Sequence, residues 1–204
     1  MNGFQRRREI KKNSILLAAY ELFSARGIKD VGIAEIAKKA DVSQVSIYNF
    51  FESKENLVRQ AMFAYMNEKM KESEMVLESK IPFREKLEKL LFITDEAQRQ
   101  SSQNFFQSAI NNDLLIKNLL EEYYQNKTEP FIFRLVEQGK QEGCINRDLS
   151  NEAIHLYIRA IQGLLAQFDL SKSVIFDLNA LFFYGLLGKP QEPNAPYPDD
   201  ASFH

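Results

Sequence analysis

The chain has 204 residues, 45% hydrophobic and 26% charged, with a net charge of -2. That composition belongs to a globular protein with material for one large or two modest cores, and it excludes disorder over most of the length. No apolar run approaches the roughly 20 residues that span a bilayer, the charged start MNGFQRRREIKK lacks a following signal-peptide core, and a single cysteine, Cys144, excludes an internal disulfide; a cytoplasmic protein with no membrane partner is expected.

The charge is unevenly spread. Residues 1–55 hold ten Lys or Arg against seven Asp or Glu, and the remainder sixteen against twenty-one. Phosphate affinity needs local positive charge rather than a basic protein, so one end of the chain suits nucleic acid. Arg6, Arg7, Arg8, Lys11 and Lys12 are candidate contacts there, the alternative being a solvated helix start.

In chain order, Ile15, Ala18, Ala19, Leu22 and Phe23 recur at helical spacing and predict an amphipathic helix from about Glu9 to Arg26, closed by Gly27. Ile33, Ile36, Ala37 and Ala40 predict a short second helix. Asp41-Val42-Ser43 interrupts it, and Gln44 to Phe51 forms a third, with Ser43 as its N-cap. Two short helices joined by a tight turn make a helix-turn-helix. With Ile47, Phe50 and Phe51 inward, Val45 and Asn49 lie on the opposite face, Ser46 and Tyr48 flank it, and Gln44 stands at the tip. That face is short, polar and uncharged, and suits a surface that reads base edges. Ser53 is the expected cap of a long fourth helix from Lys54 to about Glu72 or beyond. Lys54 falls in its first turn, where side chain and free amides both suit a phosphate.

Gly27, Ile36-Ala37, Val42-Ser43, Ile47-Tyr48, Phe50-Phe51 and Ser53-Lys54-Glu55-Asn56-Leu57, in this order, resemble the N-terminal DNA-binding domain of the TetR (tetracycline-repressor-like) family of bacterial regulators over roughly residues 9–62. The resemblance implies an all-helical homodimer that binds a palindromic double-stranded DNA operator, usually represses, and releases it when a small molecule enters a larger C-terminal domain. It places Gln44, Val45 and Ser46 at positions that touch bases, and Tyr48 and Lys54 at positions that touch phosphate. The chemistry agrees: Gln44 suits adenine, Val45 a thymine methyl, and the Tyr48 hydroxyl and Lys54 ammonium are phosphate donors. Three positions depart from the family pattern. Asp41 replaces a turn glycine, Val31-Gly32 replaces a pair that usually supplies a hydroxyl cap, and Val45-Ser46 replaces a frequent Gly-Thr.

Beyond Met70 a helix from Pro82 to about Arg99 carries Phe83, Leu87, Leu90, Leu91 and Ile93. The polar run 98–103 breaks it, and a short helix holds Phe105, Phe106 and Ile110. A longer one runs from Asp113 to about Glu142, kinked or split at Pro130. The last two helices, about Ser150 to Phe168 and Ser171 to Leu187, carry wide apolar faces. The resemblance makes them a dimer seam, with Ile154, Ile158, Ile161, Leu165, Leu178, Phe182 and Leu186 at the interface, and a broad exposed stripe would otherwise invite aggregation. Four of the six prolines fall after Gly188, in a tail that reads as extended.

The expected architecture is all-α with about nine helices: a helix-turn-helix domain over 1–52, a helical effector-binding and dimerisation domain over 53–188, and the tail over 189–204. Phe63, Tyr65, Phe92, Phe105, Phe106, Phe131 and Tyr157 are candidates for an apolar or aromatic effector pocket, with core packing the plainer role for each. His155 and His204 are the only histidines, and no triad, phosphate loop, paired-carboxylate or metal-ligand pattern is present, so neither an enzyme nor a cofactor is expected. The reading is a dimeric repressor released by a small effector; the alternative is a helix-turn-helix regulator whose large domain is a protein-interaction surface.

Overall fold

The computed structural model describes residues 2–100, 103–167 and 170–187; the expected tail, with His204, lies outside them. In order come α1 (Gly3–Arg26), α2 (Ile33–Lys39), α3 (Gln44–Phe51), α4 (Lys54–Glu78), α5 (Phe83–Gln100), α6 (Gln103–Asn112), α7 (Leu114–Tyr123), a π turn (Tyr124–Thr128), α8 (Glu129–Gln141), α9 (Asn151–Gln167) and α10 (Lys172–Leu187). Counted as one bent rod, α7, the π turn and α8 bring the number to nine among the described residues, and no strand is present there. The fold is all-α with the helix-turn-helix at its N-terminal end, as expected.

Short polar residues fix where the helices begin. The side chains of Ser43, Ser53 and Asp113 accept from the backbone amides of Ser46, Asn56 and Leu115 at 3.1, 3.1 and 3.0 Å, each cap contributing about 1 kcal/mol. The first helix starts six residues before the expected Glu9. Asn2 and Gln5 form a reciprocal capping box, with bonds of 2.9 and 3.1 Å, so the arginines at 6–8 are helical. Gly32, with no side chain, caps α2 without a side-chain bond.

The kink expected at Pro130 is a π turn immediately before it. Proline has no N–H to give the carbonyl four residues back, and the preceding turn widens so that the Glu129 amide bonds Tyr124 O.

Two cores hold the molecule. The first gathers Ile15, Ala19 and Phe23 of α1, Ile36 of α2, Ile47 and Phe51 of α3, Leu57 and Met62 of α4, and also Phe105, Ala109 and Ile116 of α6 and α7. It therefore continues past residue 52 into elements of the second expected domain. The second core joins Leu77, Phe83, Leu87 and Leu90 to Tyr124, Phe131, Leu135, Val136, Ile145 and Ile154. Each fully buried large aliphatic or aromatic side chain contributes about 1.5–3 kcal/mol. Lys86, only 2% exposed, lies in this second region and donates from Nζ to Leu77 O at 2.8 Å, closing a free carbonyl at the end of α4. α8 ends in a Schellman motif: the amides of Gly143 and Cys144 bond Lys140 O and Gly139 O at 3.2 and 2.8 Å, and Gly143 supplies the left-handed φ of 72°.

Candidate nucleic-acid interface

The turn between α2 and α3 is also a Schellman motif. Asp41 takes φ 53°, its amide bonds Lys38 O at 3.4 Å, and the Val42 amide bonds Ala37 O at 2.9 Å. Aspartate accepts the left-handed region better than most residues, so the absence of glycine leaves the turn intact. Val42, half-buried, packs against the first core. α1 braces the pair: Arg26 binds the Glu35 carboxylate and Asp30 O (2.7 Å), Lys39 pairs with Glu21 at 3.0 Å, and Ser14 Oγ donates to Ala40 O at 3.2 Å.

With that brace, α3 is held by its inner face and bare on the outer one. Ile47 and Phe51 are buried and Phe50 half-buried, while Gln44 and Asn49 are exposed, Val45 keeps 67% of its surface and Tyr48 49%. Ser46 is half-buried and its hydroxyl lies 2.9 Å from that of Ser43, so part of its hydrogen-bonding capacity is already engaged within the cap. Lys54 is half-buried at the start of α4 and lines a cleft of about 290 Å³ with Lys29, Glu55, Ser108 and Asp113. Of the six residues expected to meet DNA, four therefore stand open on one helix, Ser46 is partly occupied, and Lys54 sits at the seam with α6 and α7.

The step from α3 to α4 is unusually tight. Glu52 has φ 65° and ψ -44°, and the Ser53 amide bonds Phe51 O at 2.6 Å, two residues back. This is a γ-turn of the strained, positive-φ kind. Asn56 Nδ2 also donates to Phe51 O, at 2.9 Å, so one carbonyl ties α3 to α4.

The expected pocket aromatics do not line one common space. Phe105 is buried in the first core and Phe131 in the second, Tyr65 stacks on Tyr20 with centroids 3.9 Å apart, Phe92 is 67% exposed, and Tyr157 is also exposed. The side chain of Phe106 lies outside the described residues. Phe63 meets Tyr123, which was not among the expected pocket residues, at 5.9 Å; the Tyr123 and Tyr124 hydroxyls are buried without a hydrogen-bond partner among the described residues. Burial raises both phenol pKa values.

The expected seam on α9 and α10 requires one correction. Ile154 is 3% exposed within its own chain, packed in the second core, and offers no surface to a partner. Ile161 and Leu178 are half-buried, and the side chains of Ile158, Leu165, Phe182 and Leu186 lie outside the described residues. Among the described side chains of these helices, the large apolar ones that are exposed are Leu156, Tyr157, Val174, Phe176 and Leu181. Helical periodicity located an apolar stripe on α9, but two surfaces compete for it, and Ile154 falls on the inner one.

A braced helix-turn-helix whose second helix presents open polar and small apolar side chains defines the chain as a DNA-binding protein of the transcription-regulator class. Residues 15–61 match the family model for bacterial regulatory proteins of the tetR family. Over 137 residues, 66% of this chain and 72% of the relative, the sequence is 26% identical to an HTH-type transcriptional regulator, YhgD, of Bacillus subtilis (strain 168). Among solved structures, the fatty acid degradation regulator FadR of Bacillus halodurans superposes with a TM-score of 0.62 at 17% identity, covering 85% of this chain and 98% of that one. FadR of Bacillus subtilis, in complex with stearoyl-CoA, gives 0.60 at 20% identity, covering 85% and 95%. Residues 15–61 thus carry a DNA-binding domain of the tetR family of bacterial regulatory proteins, in a chain similar to an HTH-type transcriptional regulator.

Proposed function

We propose that this regulator acts as a homodimeric repressor, held on a palindromic operator by α3 and released by a small apolar or aromatic effector. The observation that carries the reading is the two-faced α3: buried through Ile47 and Phe51, open through Gln44, Val45, Tyr48 and Asn49. In that role Gln44 and Val45 meet base edges, with Ser46 and Asn49 beside them, and Tyr48 and Lys54 hold phosphates. The exposed Val174 and Leu181, seven residues apart on one side of α10, and Leu156 and Tyr157 on α9 support a second copy as the partner of these helices. Dimerisation sets two recognition helices one DNA turn, about 34–36 Å, apart. An effector that prefers another arrangement of the two copies weakens DNA binding by its difference in affinity for the two states.

The stearoyl-CoA bound by the Bacillus subtilis FadR supports an effector with a long apolar part. In this chain the Phe63–Tyr123 contact, with its buried phenol hydroxyl, supplies aromatic and polar groups for such a molecule. The competing reading, a large domain that binds proteins without an inducer, is favoured by the division of Phe105 and Phe131 between two cores.

Selection of bound duplexes from a random pool tests the proposal. A palindromic consensus is expected, with Gln44→Ala relaxing preference at one base pair per half-site and Tyr48→Phe or Lys54→Ala weakening all sequences alike. Recovery of no common sequence would sink the operator-reading role of α3.

A further inference from the structure

α1 is longer than its packing requires. Its first buried side chain is Ile15, so residues 3–14, about 18 Å of helix, project past the first core without a buried residue. Helical segments in water owe most of their stability to a packed face, which this projection lacks. Phe4, Arg7, Arg8 and Lys11 follow the i, i+3, i+4, i+7 spacing and share one side of the helix. That side faces the recognition helix across a cleft of about 410 Å³, whose other wall is Ser46, Asn49 and Phe50 of α3. The Arg8 guanidinium lies over the Phe50 ring, 5.5 Å from its centroid, which sets one cation at the cleft wall in advance. No acidic side chain lines the cleft, and among the described residues no carboxylate pairs with Arg7, Arg8 or Lys11. Like charges four residues apart, as Arg7 and Lys11 are, destabilise an isolated helix; a polyanion laid along them removes that repulsion.

We infer that this cleft is a second DNA-contacting element, in which Arg7, Arg8 and Lys11 clamp the phosphodiester backbone of the strand bordering the groove that α3 enters. The inference rests on the DNA-binding reading of α3 and adds a separate grip beside it. The occupant is double-stranded DNA because the cations share their cleft with the recognition helix, so a backbone passing Asn49 passes them too. The contacts are to phosphate, and they add affinity and salt dependence without choosing a base.

The test uses the full chain and a fluorescein-labelled duplex that the wild-type protein recovers from a random-sequence pool, with binding measured from 50 to 200 mM salt. Each phosphate contact adds about 0.9 to the slope of log affinity on log salt. Arg7→Gln with Lys11→Gln removes two contacts from each copy, four per bound dimer, and should therefore flatten the slope by about 3.6, so that the double variant loses on the order of a hundredfold less affinity across this range than the wild type. Its order of preference among single-base operator variants should not change, and Arg7→Lys with Lys11→Arg should restore the slope. An unchanged slope in the double variant, while Tyr48→Phe weakens binding, overturns the clamp and leaves the role of α3 standing. A wild-type protein that retains no duplex overturns the DNA-binding reading and the clamp together.

Discussion

Replacing Glu52 by glycine should stabilise this protein, whereas replacing it by alanine should not. Glu52 joins the recognition helix to α4 with φ 65° and ψ -44°, in a γ-turn closed by the Ser53 amide on Phe51 O. A side chain at such an angle brings Cβ against the following peptide and costs on the order of 1–3 kcal/mol. Glycine removes that cost but adds freedom to the unfolded chain, which takes back about 0.5–1 kcal/mol. The net gain is about 0.5–2 kcal/mol. Glu52 is exposed, so deleting its charge shifts the local field as well; Glu52→Ala deletes the same charge and keeps the Cβ, and the difference between the two variants isolates the backbone. Urea unfolding followed by circular dichroism measures it. With a slope near 2 kcal/mol per molar, glycine should raise the midpoint above that of alanine by roughly 0.3–1 M. Equal midpoints for the two variants would show that the turn carries no strain and that its geometry is an ordinary helix-to-helix link.

Gly139→Ala should destabilise by about 1–3 kcal/mol, because its Cβ would fall 2.5 Å from Phe83 Cζ and 2.6 Å from Ile145 Cδ1; a thermal melt checks this, and an unshifted transition would mean that the second core yields locally. Lys86→Ala leaves Leu77 O without its buried donor and should cost about 1–3 kcal/mol, read by denaturant unfolding, with wild-type stability counting against a capping role. Glu35 titrates below the ordinary glutamate value near 4.5, chiefly because Arg26 donates a hydrogen bond to it, aided by the Arg26 charge and the Gly32 backbone. A depressed carboxyl stabilises the fold above its unfolded pKa and ceases to as pH falls through the folded one. In Arg26→Ala, the Glu35 midpoint followed by carboxylate NMR should therefore rise, and an unmoved midpoint would exclude Arg26 as the cause.

The helix-turn-helix was legible because its rules are local. Ile36, Ala37, Ile47 and Phe51 sit at spacings that only a helix turns to one side, Ser43 and Ser53 are caps whose partners lie three residues on, and Asp41 is a tolerable left-handed residue; all are buried, capped or turned as their types require. The early start of α1 was equally local, since Asn2 and Gln5 spell the capping box. The γ-turn at Glu52 had no such signal, because a glutamate marks no positive φ. The pocket and seam residues were hardest to place. An aromatic side chain at helical spacing fits a core, a cavity or an interface alike, and only the partner across the helix distinguishes them. Phe105 and Phe131 proved to belong to different cores, and Ile154 to its own chain.

The sequence by itself determined the all-helical class, the helix-turn-helix and the outward side chains of its second helix, because backbone capping and 3.6-residue periodicity act within a few residues of one another. The tertiary structure alone decided what α1 and α3 face. Arg7, Arg8 and Lys11 lie some forty residues from Ser46 and Asn49 in the chain, and only the packing of α1 beside the helix-turn-helix turns a run of basic residues into one wall of a cleft whose other wall is the recognition helix.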